Sequence, residues 1–209
     1  MIRKKRAARE LPVEFFTREA AVVARELLGT IVISEVGGVR TSGRIVETEA
    51  YLGRDDPASH GYLLRRNARN EALFGPPGQW YVYLSYGIHW CANLVCWSHG
   101  MGSAILLRAL EPLEGIDVMR ERRGVQEPRL LCSGPGKLCQ ALGITRELDG
   151  RMMAESRVRV LEGAVEVDRV VAVTPRIGIT KAADWPLRFT VAGSAWVSRG
   201  RNGGPVEGR

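Results

Sequence analysis

The sequence predicts a single α+β domain, and three observations predict it. Stretches with apolar residues on a helical period are interleaved with stretches that alternate on a period of two. Glycines split two of the alternating stretches into hairpins, at Gly37-Gly38 and at Gly87. A chain of 209 residues with no internal repeat and no low-complexity linker suits one domain with a sizeable core.

The elements follow in order. Residues 1–10 open with Met1-Ile2-Arg3-Lys4-Lys5-Arg6 and read as a basic disordered arm, and 11–198 as the folded domain. Thr17 is placed to cap a helix over 18–28, with Glu19 in its first turn and Gly29 ending it. Ala20, Val23, Ala24 and Leu27 form its apolar stripe. Strands are predicted over 30–34 and 40–51, joined as a hairpin through Gly37-Gly38. Residues 52–78 form a polar, arginine-rich loop, well beyond the roughly 12–15 residues at which loops tend to be functional or disordered. A second hairpin is expected over 80–97. A buried strand over 103–110 follows, then helices over 112–123 and 136–142. Alternation returns over 158–173, and a last strand or two lies over 186–197. The glycine-rich tail, 199–209, reads as flexible.

Composition narrows the function. The chain is 45% hydrophobic and 25% charged, as in globular proteins. No apolar run reaches the roughly 18 residues of a membrane span, and no apolar core follows the basic start, so secretion is not expected. Cys91, Cys96, Cys132 and Cys139 form no C-x-x-C pair and read as buried reduced thiols rather than a zinc site. The net charge of +7 points to a polyanion partner, with nucleic acid the usual one. The cations are uneven. Arg65, Arg66 and Arg69 sit together in the long loop, and Arg120, Arg122 and Arg123 fall late in a predicted helix.

Two constellations carry chemistry. In Arg44-Ile45-Val46-Glu47-Thr48-Glu49-Ala50-Tyr51, period-two geometry places Glu47, Glu49 and Tyr51 on one strand face. Charged residues are rarely buried unpaired, so this face makes a poor core. It makes a good site for activating water beside a flat, stacked substrate. The second is the hairpin from Trp80 to Trp90, with five Trp and Tyr rings in eleven residues. Core packing accounts for Trp80, Tyr81 and Trp90. Tyr86 differs: it precedes Gly87 at the predicted turn, and an exposed ring there suits base stacking or wedging between base pairs.

These runs resemble the alkyladenine (3-methyladenine) DNA glycosylase family, the type without a helix-hairpin-helix. The likeness lies in the Arg44–Tyr51 run with Leu52-Gly53, in Tyr81-Val82-Tyr83 with Tyr86-Gly87, and in Leu107-Arg108-Ala109-Leu110-Glu111-Pro112-Leu113-Glu114-Gly115. It also lies in Cys132-Ser133-Gly134-Pro135-Gly136-Lys137-Leu138-Cys139-Gln140-Ala141, Phe15-Phe16, the 23–29 run and Pro186-Leu187-Arg188-Phe189. The resemblance implies a compact monomer around a curved antiparallel sheet with a protruding hairpin and no metal or other cofactor. It implies base flipping from duplex DNA containing damaged purines, and hydrolysis of the N-glycosidic bond. The place of action is then the nucleoid-containing cytoplasm, or the nucleus in a eukaryote.

By that resemblance Glu49 is the general base and Arg108 places the water and Glu49, with the Ile177 carbonyl joining them. Tyr51 and Tyr83 hold the flipped base, His60 meets its edge, and Asn93 at the pocket floor opposes the exocyclic amine of guanine. Tyr86 is the wedge, and Lys137 and Arg65 take backbone phosphates. From the residues alone, Glu47 reads as a structural partner for an arginine, His60 also fits a surface loop, Asn93 a satisfied polar group and Arg108 a buried partner of a carboxylate.

The chain departs from the family pattern after His60. Tyr62, Leu63 and Leu64 intervene, and Asn67-Ala68-Arg69-Asn70 stands where Thr-Pro-Arg-Asn is expected, with alanine loosening the loop. Two other classes are open to these residues: a non-catalytic nucleic-acid- or lesion-binding module, and a metal-dependent nuclease built on Glu47, Glu49, Asp55 and Asp56. No lysine lies between Arg6 and Gly136, so a Schiff-base lyase step is not expected and the enzyme is monofunctional.

Overall fold

The computed structural model describes residues 9–163 and 170–198. In chain order the elements are α1 (Val13–Phe16), α2 (Ala20–Glu26), β1 (Ile31–Ser34), β2 (Thr41–Tyr51), β3 (Trp80–Ser85), β4 (His89–Val95) and β5 (Ala104–Glu114). Then come α3 (Ile116–Arg123), α4 (Pro135–Leu142), β6 (Val158–Leu161), β7 (Val171–Thr174) and β8 (Arg188–Val191). The strands form one antiparallel sheet in the order β3-β4-β5-β2-β1-β6, with β8 paired to both β2 and β7. The α+β class and both hairpins stand as the alternating patterns indicate.

Strand β2 organises the sheet. Its first half pairs with β1 and its second with β8 along the same edge, while β5 takes the other edge. One sheet face carries the main core: Ile45 and Ala50 of β2, Ile105 and Leu107 of β5, Leu94 of β4 and Trp80 of β3, all under 2% exposed. Helix α2 covers it with Ala20, Val23 and Ala24, and α4 with Leu138, Cys139, Ala141 and Leu142. The Thr48 hydroxyl donates to the Ala24 carbonyl at 2.8 Å and ties α2 to the sheet.

Two irregularities give the opposite face its character. The β2–β5 register shifts between Ile45 and Glu47 and again between Glu47 and Thr48, where pairing steps from Leu107 to Ala109 and passes over Arg108. A one-residue shift in a strand exchanges the two faces. Ile45 therefore points into the core, yet Glu47, two positions on, points away from it. The bulged Arg108 joins Glu47 and Glu49 on that second face.

Several expectations are corrected. The helix predicted over 18–28 is shorter, α2 over Ala20–Glu26, and a separate turn of helix, α1, precedes Thr17. The Thr17 hydroxyl donates to the Glu14 carbonyl at 2.9 Å, closing α1, and Glu19 occupies the N-cap position of α2. Residues 112–114, predicted helical, extend β5. Pro112 is tolerated there because it lies beside a register shift opposite Gly43, and α3 starts only after Gly115 turns the chain at φ 70°. The last region contributes one strand, β8. Arg9 and Glu10 pair with the β6 end through the Glu162 N–H and Leu161, so the ordered chain begins before residue 11. The basic arm over 1–8, the tail over 199–209 and part of the 158–173 alternation lie outside the described residues.

Candidate active site

The second half of β2 brings its carboxylates under two cations, Arg108 and Arg188. Glu47, fully buried, accepts from Arg108 Nε at 2.9 Å, Arg188 Nε at 2.7 Å, the Ser198 N–H at 2.6 Å and the Ser198 hydroxyl at 2.8 Å. Four donors saturate it, as its reading as a structural partner for an arginine requires. Glu49, also fully buried, is held differently. It accepts from the Ile177 N–H at 2.7 Å and the Tyr51 hydroxyl at 3.0 Å, and Arg108 Nη1 lies 3.2 Å from Oε2. Burial pushes the Glu49 carboxyl above the usual carboxylate range. Arg108, the Ile177 N–H and Tyr51 oppose that rise, and Glu47 adds to it. Arg108 bridges both acids, so its two readings, buried partner and positioner of Glu49, coincide. The resemblance assigns Ile177 through its carbonyl; its amide N–H is what touches Glu49.

A second buried ion pair stands behind Tyr51. Arg176 and Asp56 are both fully buried, with Arg176 Nη2 2.9 Å from Asp56 Oδ1. The Arg176 guanidinium lies 4.6 Å from the Tyr51 ring centroid and also donates to the Ala50 carbonyl at 3.0 Å. One face of Tyr51 is thus backed by a cation. Asp56 further accepts from the Leu52 and Ala58 N–H groups, which shapes the start of the long loop. Arg176, Arg188 and Ser198 are not among the site residues picked from the sequence, and Asp56 is picked only as a donor of the nuclease alternative. Their signal lies only in the need of buried carboxylates for counter-charge, since the partners are 120 to 151 residues apart in the chain.

Along the same face lie the aromatic residues. Tyr81 stacks on Tyr83 at 5.4 Å between centroids, and His60 meets the Tyr83 ring edge-on at 4.6 Å. Tyr81 is buried in a small core cluster as expected, and its hydroxyl, 2.7 Å from His60 Nδ1, also reaches the site. Burial lowers the His60 pKa, so its ring is neutral near pH 7. Burial likewise drives the Tyr51 and Tyr83 phenols up, and Tyr51 adds to the rise at Tyr83, which marks the two as neighbours. A cleft of about 580 Å³ opens here, with His60, Asn70 and Arg69 on the loop side and Tyr83, Gly87 and Trp90 on the hairpin side. Asn93 sits on this face paired with Tyr81 and Leu106, and its Nδ2 donates to the Tyr81 carbonyl at 3.0 Å. It is a satisfied polar group in the sheet.

The residues expected at the DNA surface, Tyr86, Lys137 and Arg65, are all exposed. Tyr86 and Gly87 form the two-residue turn of the β3–β4 hairpin, both with positive φ, closed by the Ile88 N–H on the Ser85 carbonyl at 3.1 Å. Tyr86 is 87% exposed. A tyrosine held at φ 52° is strained, and such strain concentrates at functional positions. Lys137 is exposed in the first turn of α4, with Nζ 3.4 Å from the Ser133 hydroxyl. Gly136 lets that turn approach the hairpin, since a Cβ there would stand 2.7 Å from His89 Cβ. Arg65 is exposed in the long loop. Where the alanine removes a constraint from that loop, side-chain hydrogen bonds supply others. Asn70 accepts from the Asn67 N–H and donates to the His60 and Arg65 carbonyls, doing the work expected of proline.

The donors of the nuclease alternative are already engaged: Glu47 by two arginines, Glu49 by Arg108, Tyr51 and Ile177, and Asp56 by Arg176, while Asp55 is exposed. Among the described residues no three His, Cys, Asp or Glu side chains cluster to hold a metal. The four cysteines are buried and free.

Fold and site together define an enzyme of the DNA glycosylase class. The sequence profile of the methylpurine-DNA glycosylase family matches residues 14–195. A Rhizobium meliloti protein, named as a candidate 3-methyladenine DNA glycosylase, is 52% identical over 188 residues, covering 90% of this chain and 95% of its own. A Methanoculleus marisnigri protein of the same name is 48% identical over 193 residues, covering 90% and 98%. A Nitrosospira multiformis namesake is 50% identical over 186 residues, covering 88% and 91%. The chain belongs to the methylpurine-DNA glycosylase family.

Proposed function

We propose that this enzyme flips damaged purines, alkylated or deaminated, out of duplex DNA and hydrolyses the bond between the base and C1′. The observation that carries the reading is Glu49: a buried carboxyl with a raised proton affinity, fixed from three sides on the sheet face that also carries the aromatic residues. A general base works best when its pKa approaches the working pH. Glu49 takes a proton from water, and the water oxygen forms its bond to C1′ as the bond to the purine nitrogen breaks. The electron pair leaves with the base. A cationic methylpurine departs neutral and needs no acid, whereas a neutral lesion must gain a proton on the ring.

Arg108 holds Glu49 in place, and the Ile177 N–H and Tyr51 hydroxyl fix its oxygens. Negative charge on Glu49 favours the positive sugar of the transition state. The free face of Tyr51 and the ring of Tyr83 hold the base, with neutral His60 at its edge and Asn93 on the pocket floor. Tyr86 fills the gap in the duplex, and Arg65 and Lys137 hold phosphates. With no lysine between Arg6 and Gly136, the product is an abasic site with an intact strand. The enzyme acts as a monomer in the compartment that holds the DNA, needs no metal, and begins base excision repair.

The test is base release from methylated duplex DNA in EDTA by the wild type and Glu49→Gln. Free methylpurines from the wild type, with a loss of at least about a hundredfold in the variant and retained binding, support the reading. Tight binding without release by the wild type defeats it and leaves a lesion-binding module. Strand scission without alkali or heat defeats the monofunctional reading.

A further inference from the structure

We propose that Leu63 and Leu64 form a second apolar prong, pressed against duplex DNA from the loop wall of the base cleft while Tyr86 enters from the hairpin wall. The inference rests on the glycosylase reading above and adds a DNA contact to it.

The two leucines are out of place by ordinary rules. Their side chains are 56% and 43% exposed. Both residues hold left-handed backbone, φ 54° and 56°, a region that suits glycine and asparagine rather than leucine. A slack loop would relax to the common conformation, but this one is pinned. The Leu64 N–H donates to the Gly61 carbonyl and the Arg65 N–H to the Tyr62 carbonyl. Asn70 ties the His60 and Arg65 carbonyls together. Gly61 packs so closely on Gly102 that a Cβ would stand 2.5 Å from its carbonyl oxygen. A rigid base thus presents two strained, exposed apolar side chains. The hairpin does the same with Tyr86, and loop and hairpin both line one cleft, through His60, Asn67 and Asn70 on the one and Tyr83, Leu84 and Gly87 on the other.

The chemistry around the pair names the partner. Arg65 and Arg69 are exposed beside it, while Arg66 is engaged by Glu71 and lies over the Phe74 ring. An apolar tip flanked by exposed cations, on the loop that lines an aromatic cleft, fits a polyanion with apolar faces inside it. Duplex DNA opened by a flipped nucleotide offers exactly such surfaces in the sugar edges and unstacked base faces next to the gap.

The test compares the wild type with Leu63→Asn/Leu64→Asn and Leu63→Met/Leu64→Met. Asparagine is at home in the left-handed region, so the loop keeps its shape, and melting temperature checks this. The probe is a duplex holding hypoxanthine, with 2-aminopurine beside it in the opposite strand. The asparagine pair is expected to weaken binding about tenfold, the scale of one largely buried leucine. It should also reduce the 2-aminopurine fluorescence rise and leave the salt dependence unchanged, because apolar contacts release no counterions. The methionine pair should behave as wild type. Arg65→Ala should instead lower the salt slope by about one.

Unchanged affinity and fluorescence in the asparagine pair overturn the prong. So does a fall in salt slope with affinity, or a change in sedimentation, which would make the leucines a self-association surface. If the wild type releases no base, the glycosylase reading fails on its own, and the binding and fluorescence arms still decide the prong. Release by the wild type together with an unaffected asparagine pair overturns the prong alone.

Discussion

Replacing Glu47 with glutamine should unfold this protein more readily without touching the reacting atoms. One Glu47 oxygen receives Arg108, Arg188 and the Ser198 hydroxyl, and the other receives the Ser198 N–H. Glutamine supplies one acceptor oxygen and one NH2. Either orientation sets that NH2 against a donor, and both guanidiniums lose a full negative partner in a buried setting. Breaking a buried pair by removing one partner costs about 3–5 kcal/mol. For a chain of this size each kcal/mol moves the melting temperature by about 2–4 °C. The expected fall is therefore roughly 6–20 °C. Differential scanning calorimetry at pH 7, with base release measured in parallel at low temperature, reads both consequences. Glu47→Gln should keep measurable release where folded, and Glu49→Gln should fold and not release. A Glu47→Gln protein that melts within about 2 °C of wild type but releases no base would refute this division and make Glu47 a catalytic acid.

Other outcomes follow from the same geometry. Glu49 has a folded pKa above its unfolded value, so its contribution to stability is whole below the ordinary carboxylate range and is lost as pH climbs through the raised value. Glu49→Gln should therefore melt at or above the wild-type temperature at pH 7, with the advantage shrinking as pH is lowered through that window. The same titration should give base release a rising limb placed above the ordinary carboxylate range in single-turnover profiles. Tyr86→Gly relieves the turn but removes the ring, and should slow release from duplex about 5- to 100-fold, the worth of one stacked base, while affecting single-stranded substrate less. Burial lifts the Cys96 and Cys132 thiols to about 12 and raises Cys91 and Cys139 as well. A thiol reagent at pH 8 should then label none of the four in the native protein and all four in guanidinium.

What the sequence discloses here is local. Period-two alternation places β2, β3 and β4, and the shared face of Glu47, Glu49 and Tyr51 follows from strand geometry. That agreement depends on where the β2 bulge falls: it lies before Glu47, so the alternation is unbroken over the residues that matter. The bulge itself, and its counterpart at Arg108, leave no mark in residue types. The first helix was misplaced because Thr17 serves equally as the end of one helix or the start of another. Its hydroxyl closes α1 because the next helix begins three residues on. The loop after His60 reads as loosened because proline is missing, yet asparagine side chains at 67 and 70 restore the constraint through hydrogen bonds that no propensity describes. The counter-charges of the site were hidden most deeply, since nothing in residues 175–198 ties them to residues 47–56 until the chain has folded.

That separation has a consequence for how the protein comes into being. Glu47 and Glu49 emerge early in synthesis, but the Ile177 N–H, Arg188 and Ser198 that complete their surroundings emerge last. A nascent chain stopped at residue 170 carries the β3–β4 hairpin, the basic loop and six strands of the sheet, enough surface to meet DNA. It has Arg108 alone to serve two buried acids. The surroundings of Glu47 and Glu49 are therefore complete only once the final strand docks beside β2. Chains that end before Ile177 lack the contacts on which base release is proposed to depend.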